Sequence, residues 1–268
     1  MSELDGRTAV VTGSSTGLGR EIAARYAEEG ANVVTNSRSN ERAEEAAAAI
    51  RDAGGNAVGV GADVTDKNDV QALADRAVAE FGSLDIMVNN AGTTVEKPLL
   101  EQTPAEWRSV LEVNLTGVFF GCQVAGERMK QQGTGGQILN MSSIYGAGGV
   151  QGRAPYNASK AGVENLTRNA AVELAEYDIQ VNALAPGYIK TRLAEAPWGE
   201  SVDEQPEWPY VGYADEHIEN RTPLGRFGTH EEVNNCAVFL AAGDHYMTGE
   251  VLTADGGWTS FGWGSKSR

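Results

Sequence analysis

The sequence predicts an α/β fold: a single-domain, doubly wound parallel sheet with helices on both faces. Three observations predict it. Short apolar runs alternate with longer amphipathic segments from the first residues onward. The runs are nearly continuous in apolar character, as strands covered on both faces require. A glycine-rich turn, Thr12-Gly13-Ser14-Ser15-Thr16-Gly17-Leu18-Gly19, joins the first run to the first amphipathic segment.

The elements follow in order. Residues 8–12 read as a strand and 18–29 as a helix with Ile22, Ala23, Tyr26 and Ala27 on one side. A second strand at 32–36 leads into an alanine-rich helix at 41–53, which Gly54-Gly55 ends. Strands at 57–61 and 84–88 flank a helix at 69–81. A long helix at 104–131 precedes a strand at 136–141. A helix from about 154 to 176 then precedes a strand at 179–184. A helix at 230–241 and a short strand at 251–253 close the pattern. Residues 192–226 break the rhythm. They concentrate Pro197, Pro206, Pro209 and Pro223 with Trp198, Trp208, Tyr210 and Tyr213. So long a loop, carrying one or two short helices, reads as a lid or binding segment.

Composition narrows the function classes. With 268 residues, one sizeable core is expected, and 33 Gly with only 8 Pro is too little for a disordered or collagen-like chain. A net charge of -16 argues against non-specific binding to nucleic acid or anionic membranes. It leaves room for a phosphate-bearing cofactor, which needs only a local positive site. The acid excess also fits a surface adapted to high salt, although 22% charged residues is an ordinary total. No stretch approaches the roughly 20 apolar residues of a membrane span. The first six residues lack the zones of a signal peptide, so a cytoplasmic protein is expected. Cys122 and Cys236 read as buried free thiols. His217, His230 and His245 show no metal-ligand spacing, and no metal is expected.

The glycine turn follows a strand and opens a helix. Gly13, Gly17 and Gly19 permit a tight path and close approach of a pyrophosphate, whose charge the helix N-terminus stabilises. The spacing is not that of the ordinary dinucleotide fingerprint, and the lysine and hydroxyl of a Walker loop are absent. The end of the second strand, where an acid would bind an adenosine ribose, is instead Thr35-Asn36-Ser37-Arg38-Ser39. Arg38 can offer a charged, forked donor to a 2′-phosphate, which favours NADP. As an ordinary surface charge it would leave NAD or dual use open. Asp63 can accept from an adenine amino group or cap the next helix.

Tyr156 and Lys160 are four residues apart on a helix and share one face. An ammonium beside a phenol favours the phenolate. Beside a nicotinamide, the pair would exchange a hydride and a proton with an alcohol or ketone.

Together the ordered set resembles the classical short-chain dehydrogenase/reductase family, a Rossmann-type fold. The resemblance rests on residues 12–19, Asn89-Asn90-Ala91-Gly92, Asn114, Ser142-Ser143, Tyr156 to Lys160, and Pro186-Gly187 followed by Thr191. It implies one dinucleotide-binding catalytic domain over residues 1–268, with the lid at 192–226. Ser143 would polarise the substrate, and Asn114 would interrupt its helix and hold a water in a proton relay. Lys160 would bind the nicotinamide ribose and lower the tyrosine pKa. Ser15, Thr16, Leu18, Ser39, Val64, Asn90, Ala91, Gly92 and Ile189 join the glycines, Arg38 and Asp63 as expected cofactor contacts. Pro186 to Thr191 would pass beside the nicotinamide. A homotetramer or homodimer is implied, with the helices at 104–131 and 154–176 at one interface. A non-catalytic cofactor-binding protein would have no chemical need for Asn114, Ser143, Tyr156 and Lys160 together.

Of two branches of that family, the chain more closely resembles the bacterial glucose 1-dehydrogenases, and nearly as much the 3-oxoacyl-carrier-protein reductases. The turn at 12–19, Asn114-Leu115-Thr116-Gly117, Asn140-Met141-Ser142-Ser143 and Ala254-Asp255-Gly256-Gly257 carry the first resemblance. The segment Ile144-Tyr145-Gly146-Ala147-Gly148-Gly149 and the loop at 192–226 depart from it. Loop aromatics could stack on a sugar, with Glu195, Glu200, Asp203 or Glu204 accepting its hydroxyls, or could anchor the lid. A carrier protein would prefer a basic docking patch, and the loop has more acids than bases. A small sugar, polyol or cyclic alcohol is therefore expected, with glucose the named candidate.

Overall fold

The computed structural model describes residues 2–190 and 215–260. Seven parallel strands form one sheet in the order β3-β2-β1-β4-β5-β6-β7. They are β1 (Thr8–Val11), β2 (Asn32–Ser37), β3 (Asn56–Gly61), β4 (Ile86–Asn89), β5 (Gly136–Met141), β6 (Ile179–Pro186) and β7 (Val251–Ala254). The helices are α1 (Gly17–Glu28), α2 (Asn40–Asp52), α3 (Lys67–Phe81), α4 (Pro104–Leu111), α5 (Gly117–Gln132), α6 (Ile144–Ala147), α7 (Ala154–Leu174), α8 (Asp215–Arg221) and α9 (His230–Ala242).

The apolar runs are continuous because alternate residues serve two cores. In β1, Ala9 and Val11 face a cluster with Ile22 and Tyr26 of α1 and Val233 and Leu240 of α9. Val10 faces the opposite cluster, with Leu73 of α3, Val124 and Met129 of α5 and Val163 of α7. Val33 and Val34 of β2 divide in the same way. Each fully buried Ile or Leu contributes roughly 2 kcal/mol of apolar transfer. The Tyr26 hydroxyl, carried into one core, donates to the Ala237 carbonyl at 2.9 Å.

After β3 the chain returns to the centre and β4 pairs with β1, in register Ala9↔Ile86. That reversal opens a crevice beyond the carboxyl ends of the strands, the usual ligand site of open α/β sheets.

Three local features refine the sequence expectations. The long helix at 104–131 is two helices joined by a π-turn at Glu112–Thr116, with Asn114 fully buried within it. Thr103 starts this unit with a reciprocal capping box to Glu106. The glycine-rich stretch after Ser143 holds the short helix α6, which periodicity did not predict. It forms because the Ser143 side chain accepts from the Tyr145 amide at 3.3 Å. Capping of the helix after β3 belongs to Asp66, whose carboxylate accepts from the Asn68 amide at 2.8 Å, and not to Asp63.

Of the expected lid, α8 and residues up to 226 are described. Thr191 and the aromatics Trp198, Trp208, Tyr210 and Tyr213 lie outside the described residues. Among the described residues no helix is long and apolar enough to cross a membrane, and no cluster could hold a metal ion. Both cysteines are free thiols, Cys122 buried and Cys236 half-buried; burial pushes the Cys122 thiol up to about 12.

Candidate active site

A cleft of about 950 Å³ runs along the carboxyl ends of β1, β2, β4, β5 and β6. Its floor at the switch point is held by one hydroxyl. Thr12 Oγ1 donates to the Val88 carbonyl at 3.2 Å and accepts from the amides of Asn90 and Ala91 at 2.9 and 3.1 Å. A hydroxyl has one donor and two acceptor sites, so Thr12 is saturated. The Asn90 side chain returns the link, donating to the carbonyls of Thr12 and Gly13 at 2.9 and 3.2 Å.

This clamp explains two glycines. Gly13 has φ of 62°, and a Cβ there would stand 2.8 Å from the Ala91 Cα. At Gly19 a Cβ would meet the Asn90 amide and lie 2.7 Å from the Gly13 carbonyl oxygen. Sequence reasoning assigned Gly19 to the approach of a ligand. Gly19 does line the cleft, but the space a side chain would need there is taken by Asn90, which locks α1 onto the turn after β4.

The residues fit a dinucleotide. Thr16 precedes α1 without a side-chain cap bond, and no acid occupies the first turn. The first amides of this helix therefore remain free for an anion, and the macrodipole favours one. Ser15, Thr16, Leu18 and Gly19 line the cleft there. At the end of β2, Asn36 accepts from the Gly13 amide at 3.1 Å, and Arg38 lines the wall. Arg42, in the first turn of α2, lines it too. Sequence reasoning stopped at the strand end and missed Arg42, although its spacing from Arg38 was a readable signal. Ser39 does not line the cleft; its hydroxyl accepts from the Arg42 amide at 3.4 Å and so caps α2. Gly17 also lies outside the lining, while Val64 lies within it. Asp63 accepts from the Thr65 amide and hydroxyl at 3.0 and 2.8 Å. Those bonds, with the Arg38 charge, hold its carboxyl below the usual range.

At the other end, Asn90, Ala91, Gly92, Ser143, Tyr156, Lys160, Pro186, Gly187 and Ile189 share the same cleft. The Tyr156 phenol sits above its ordinary value because of burial, with the Ser143 hydroxyl and the Arg153 charge acting the other way. Lys160 was expected to lower it. Instead the Lys160 ammonium donates to the Met141 carbonyl at 2.6 Å and lies 5.6 Å from the Tyr156 ring centre. Burial pushes Lys160 itself down to about 8.

Asn114 is committed within the chain. Its Oδ1 accepts from the Thr93 amide at 2.8 Å, and its Nδ2 donates to the Thr93 carbonyl and the Ser159 hydroxyl at 2.9 and 3.1 Å. Ser159 donates in turn to the Tyr156 carbonyl at 2.7 Å. The π-turn is thereby stitched to the start of α7. His230, at the start of α9, lines the cleft, whereas the sequence reading weighed it only as a metal ligand.

A family model described as enoyl-(acyl carrier protein) reductase matches residues 13–259. A cis-4-hydroxycyclohexanecarboxylate dehydrogenase of Sinomonas cyclohexanicum is 44% identical over 256 residues, covering 95% of this chain and 97% of that protein. A 3-oxoacyl-[acyl-carrier-protein] reductase of Staphylococcus aureus is 40% identical over 253 residues, with 94% and 97% covered. The crystal structure of a gluconate 5-dehydrogenase from Burkholderia cenocepacia J2315, in complex with NADP and tartrate, superposes with a TM-score of 0.86 at 37% identity. It covers 96% of this chain and 97% of that one. The chain belongs to the short-chain dehydrogenase/reductase family and is an NAD(P)-dependent oxidoreductase.

Proposed function

We propose that the protein exchanges a hydride between NADP(H) and a secondary alcohol or ketone carried on a small polar ring or polyol, glucose being the first candidate. The observation that carries this reading is the shared cleft. Ser143, Tyr156 and Lys160 line one end, and Arg38 and Arg42 line the other. The nicotinamide supplies the hydride acceptor or donor when bound. In oxidation, Tyr156 would take the hydroxyl proton of the alcohol as the substrate becomes a ketone, the Ser143 hydroxyl and the Arg153 charge favouring its phenolate against burial. In reduction the Tyr156 phenol gives that proton back to the oxygen. Ser143 donates to the same oxygen as charge builds on it. Lys160, held by Met141, would offer its ammonium to the nicotinamide ribose.

Arg38 and Arg42 support NADP over NAD, because two forked cations suit a 2′-phosphate. The ring preference draws on the cyclohexane carboxylate named for one relative and the gluconate named for a solved structure. A second reading, reduction of 3-oxoacyl thioesters on a carrier protein, has the Staphylococcus aureus relative in its favour. The net charge of -16 opposes docking of an acidic carrier. We also propose a homotetramer or homodimer built through α5 and α7, where Phe119 and Val172 are exposed.

The test is a panel of glucose, gluconate, 4-hydroxycyclohexanecarboxylate and acetoacetyl thioesters with both nicotinamide cofactors at low and high salt. Turnover of a ring or polyol substrate with NADP(H) supports the proposal. Turnover of thioesters alone replaces it with the second reading.

A further inference from the structure

Glu164 is a buried carboxylate that the proposed chemistry does not use. It lies one helical turn beyond Lys160 on α7 and is 8% exposed. Its Oε1 accepts from the Ser142 hydroxyl at 2.9 Å. Ser142 follows β5 directly and precedes Ser143, and its amide donates to the Leu184 carbonyl of β6 at 2.8 Å. The same Oε1 packs on Gly146 of α6, where a Cβ would collide with it and stand 2.8 Å from the Ser142 hydroxyl oxygen.

A carboxylate taken from water needs strong compensation. A leucine at this place would fill the space between α6 and α7 without that cost. A bond from a hydroxyl to a carboxylate is about twice as strong as a neutral one, and it fixes direction. The bond here joins the two segments whose mutual placement matters. One is the turn bearing Ser143; the other is the helix bearing Tyr156 and Lys160. Lys160, Tyr156 and Arg153 precede Glu164 on α7 or at its cap, Arg168 follows it by one turn, and Tyr145 is the titratable side chain of α6. Residues 142–149, which pack against it, carry no charged side chain.

We infer that Glu164 is a positioning residue, which through Ser142 fixes the Ser143 hydroxyl relative to the Tyr156 phenol. The inference rests on the roles proposed above for Ser143 and Tyr156.

A double-mutant cycle on the full chain tests it, using Glu164→Leu, Ser142→Ala and their combination, with Glu164→Gln as the conservative variant. Each single loss should lower kcat about tenfold, the scale of a sub-ångström misplacement. The double variant should be no worse than either single, because one link cannot be broken twice. Glu164→Gln keeps an acceptor and should recover most of the rate with an unshifted pH profile. NADPH affinity, read by fluorescence, should stay within about twofold throughout. Multiplicative losses would overturn the inference, as would a parallel loss of NADPH affinity. A Glu164→Gln profile displaced to lower pH would overturn it too, since Glu164 would then act as a charge. If no alcohol or ketone is turned over, the functional reading fails, and the crystal structure of Ser142→Ala still decides the link. A Ser143 hydroxyl displaced from Tyr156 by at least about 0.5 Å supports the inference, and an unmoved one refutes it.

Discussion

Lys160 donates a 2.6 Å hydrogen bond to the carbonyl oxygen of Met141, anchoring the helix that carries Tyr156 to the end of the inner strand β5. Desolvation lowers its pKa to about 8, below the unfolded value of about 10.4. Between those values the unfolded chain binds the extra proton, so stability attributable to Lys160 rises with pH. At and below pH 8 the penalty is present in full. Lys160→Met removes the titrating group. Its thermal stability relative to the parent should therefore be most favourable near pH 7 and decline as pH approaches 10. A difference in Tm that is constant with pH would contradict the assignment.

Arg38 and Arg42 stand together on the cleft wall, on either side of the start of α2. Replacing both with alanine should weaken NADPH by about 10²- to 10⁴-fold, since charged hydrogen bonds contribute about 1.5–3 kcal/mol each. NADH affinity should change less than about twofold. Calorimetric titration of both cofactors checks this, and equal losses would remove the case for a 2′-phosphate clamp.

Asn114 satisfies both main-chain groups of Thr93 as well as the Ser159 hydroxyl. Asn114→Ala leaves buried polar partners without bonds and should cost about 1–3 kcal/mol in denaturant unfolding. Asn114→Asp keeps an acceptor for the Thr93 amide while losing both amide donations. It should still destabilise, which distinguishes a stitched π-turn from a residue needed only for its size.

Gly19 has no room for a side chain because Asn90 fills the space. Gly19→Ala should push Asn90 off the Thr12 and Gly13 carbonyls and cost about 1–3 kcal/mol, as overpacking does. NADPH affinity should fall with it, because the same clamp shapes the turn before α1 that lines the cleft. Preserved stability and affinity would show that Asn90 is free to move aside.

The strands were legible because their apolar runs report burial on both faces locally. Tyr156 and Lys160 were legible because helical spacing alone puts them on one face. Asn114 could be placed in a helix interruption, but its partner Thr93 is 21 residues away and no local period connects them. The Thr12–Asn90 clamp spans 78 residues, so Gly19 could not be paired with Asn90 before the sheet order was known. Ser39 misled because a hydroxyl beside Arg38 suits a ligand and a helix cap equally well. The tyrosine pKa was misjudged for a related reason. Sequence spacing puts an ammonium near the phenol but does not reveal the Met141 carbonyl that holds it.

The most direct test of the central claim compares Tyr156→Phe with the parent in hydride transfer and in NADPH binding. Phenylalanine keeps the ring and its packing and removes only the proton-bearing oxygen. Turnover should fall by about 10²- to 10⁴-fold, the usual contribution of a positioned acid or base, while NADPH affinity stays within about twofold. Turnover that survives the substitution would contradict the account, because Tyr156 would then carry no proton in the reaction.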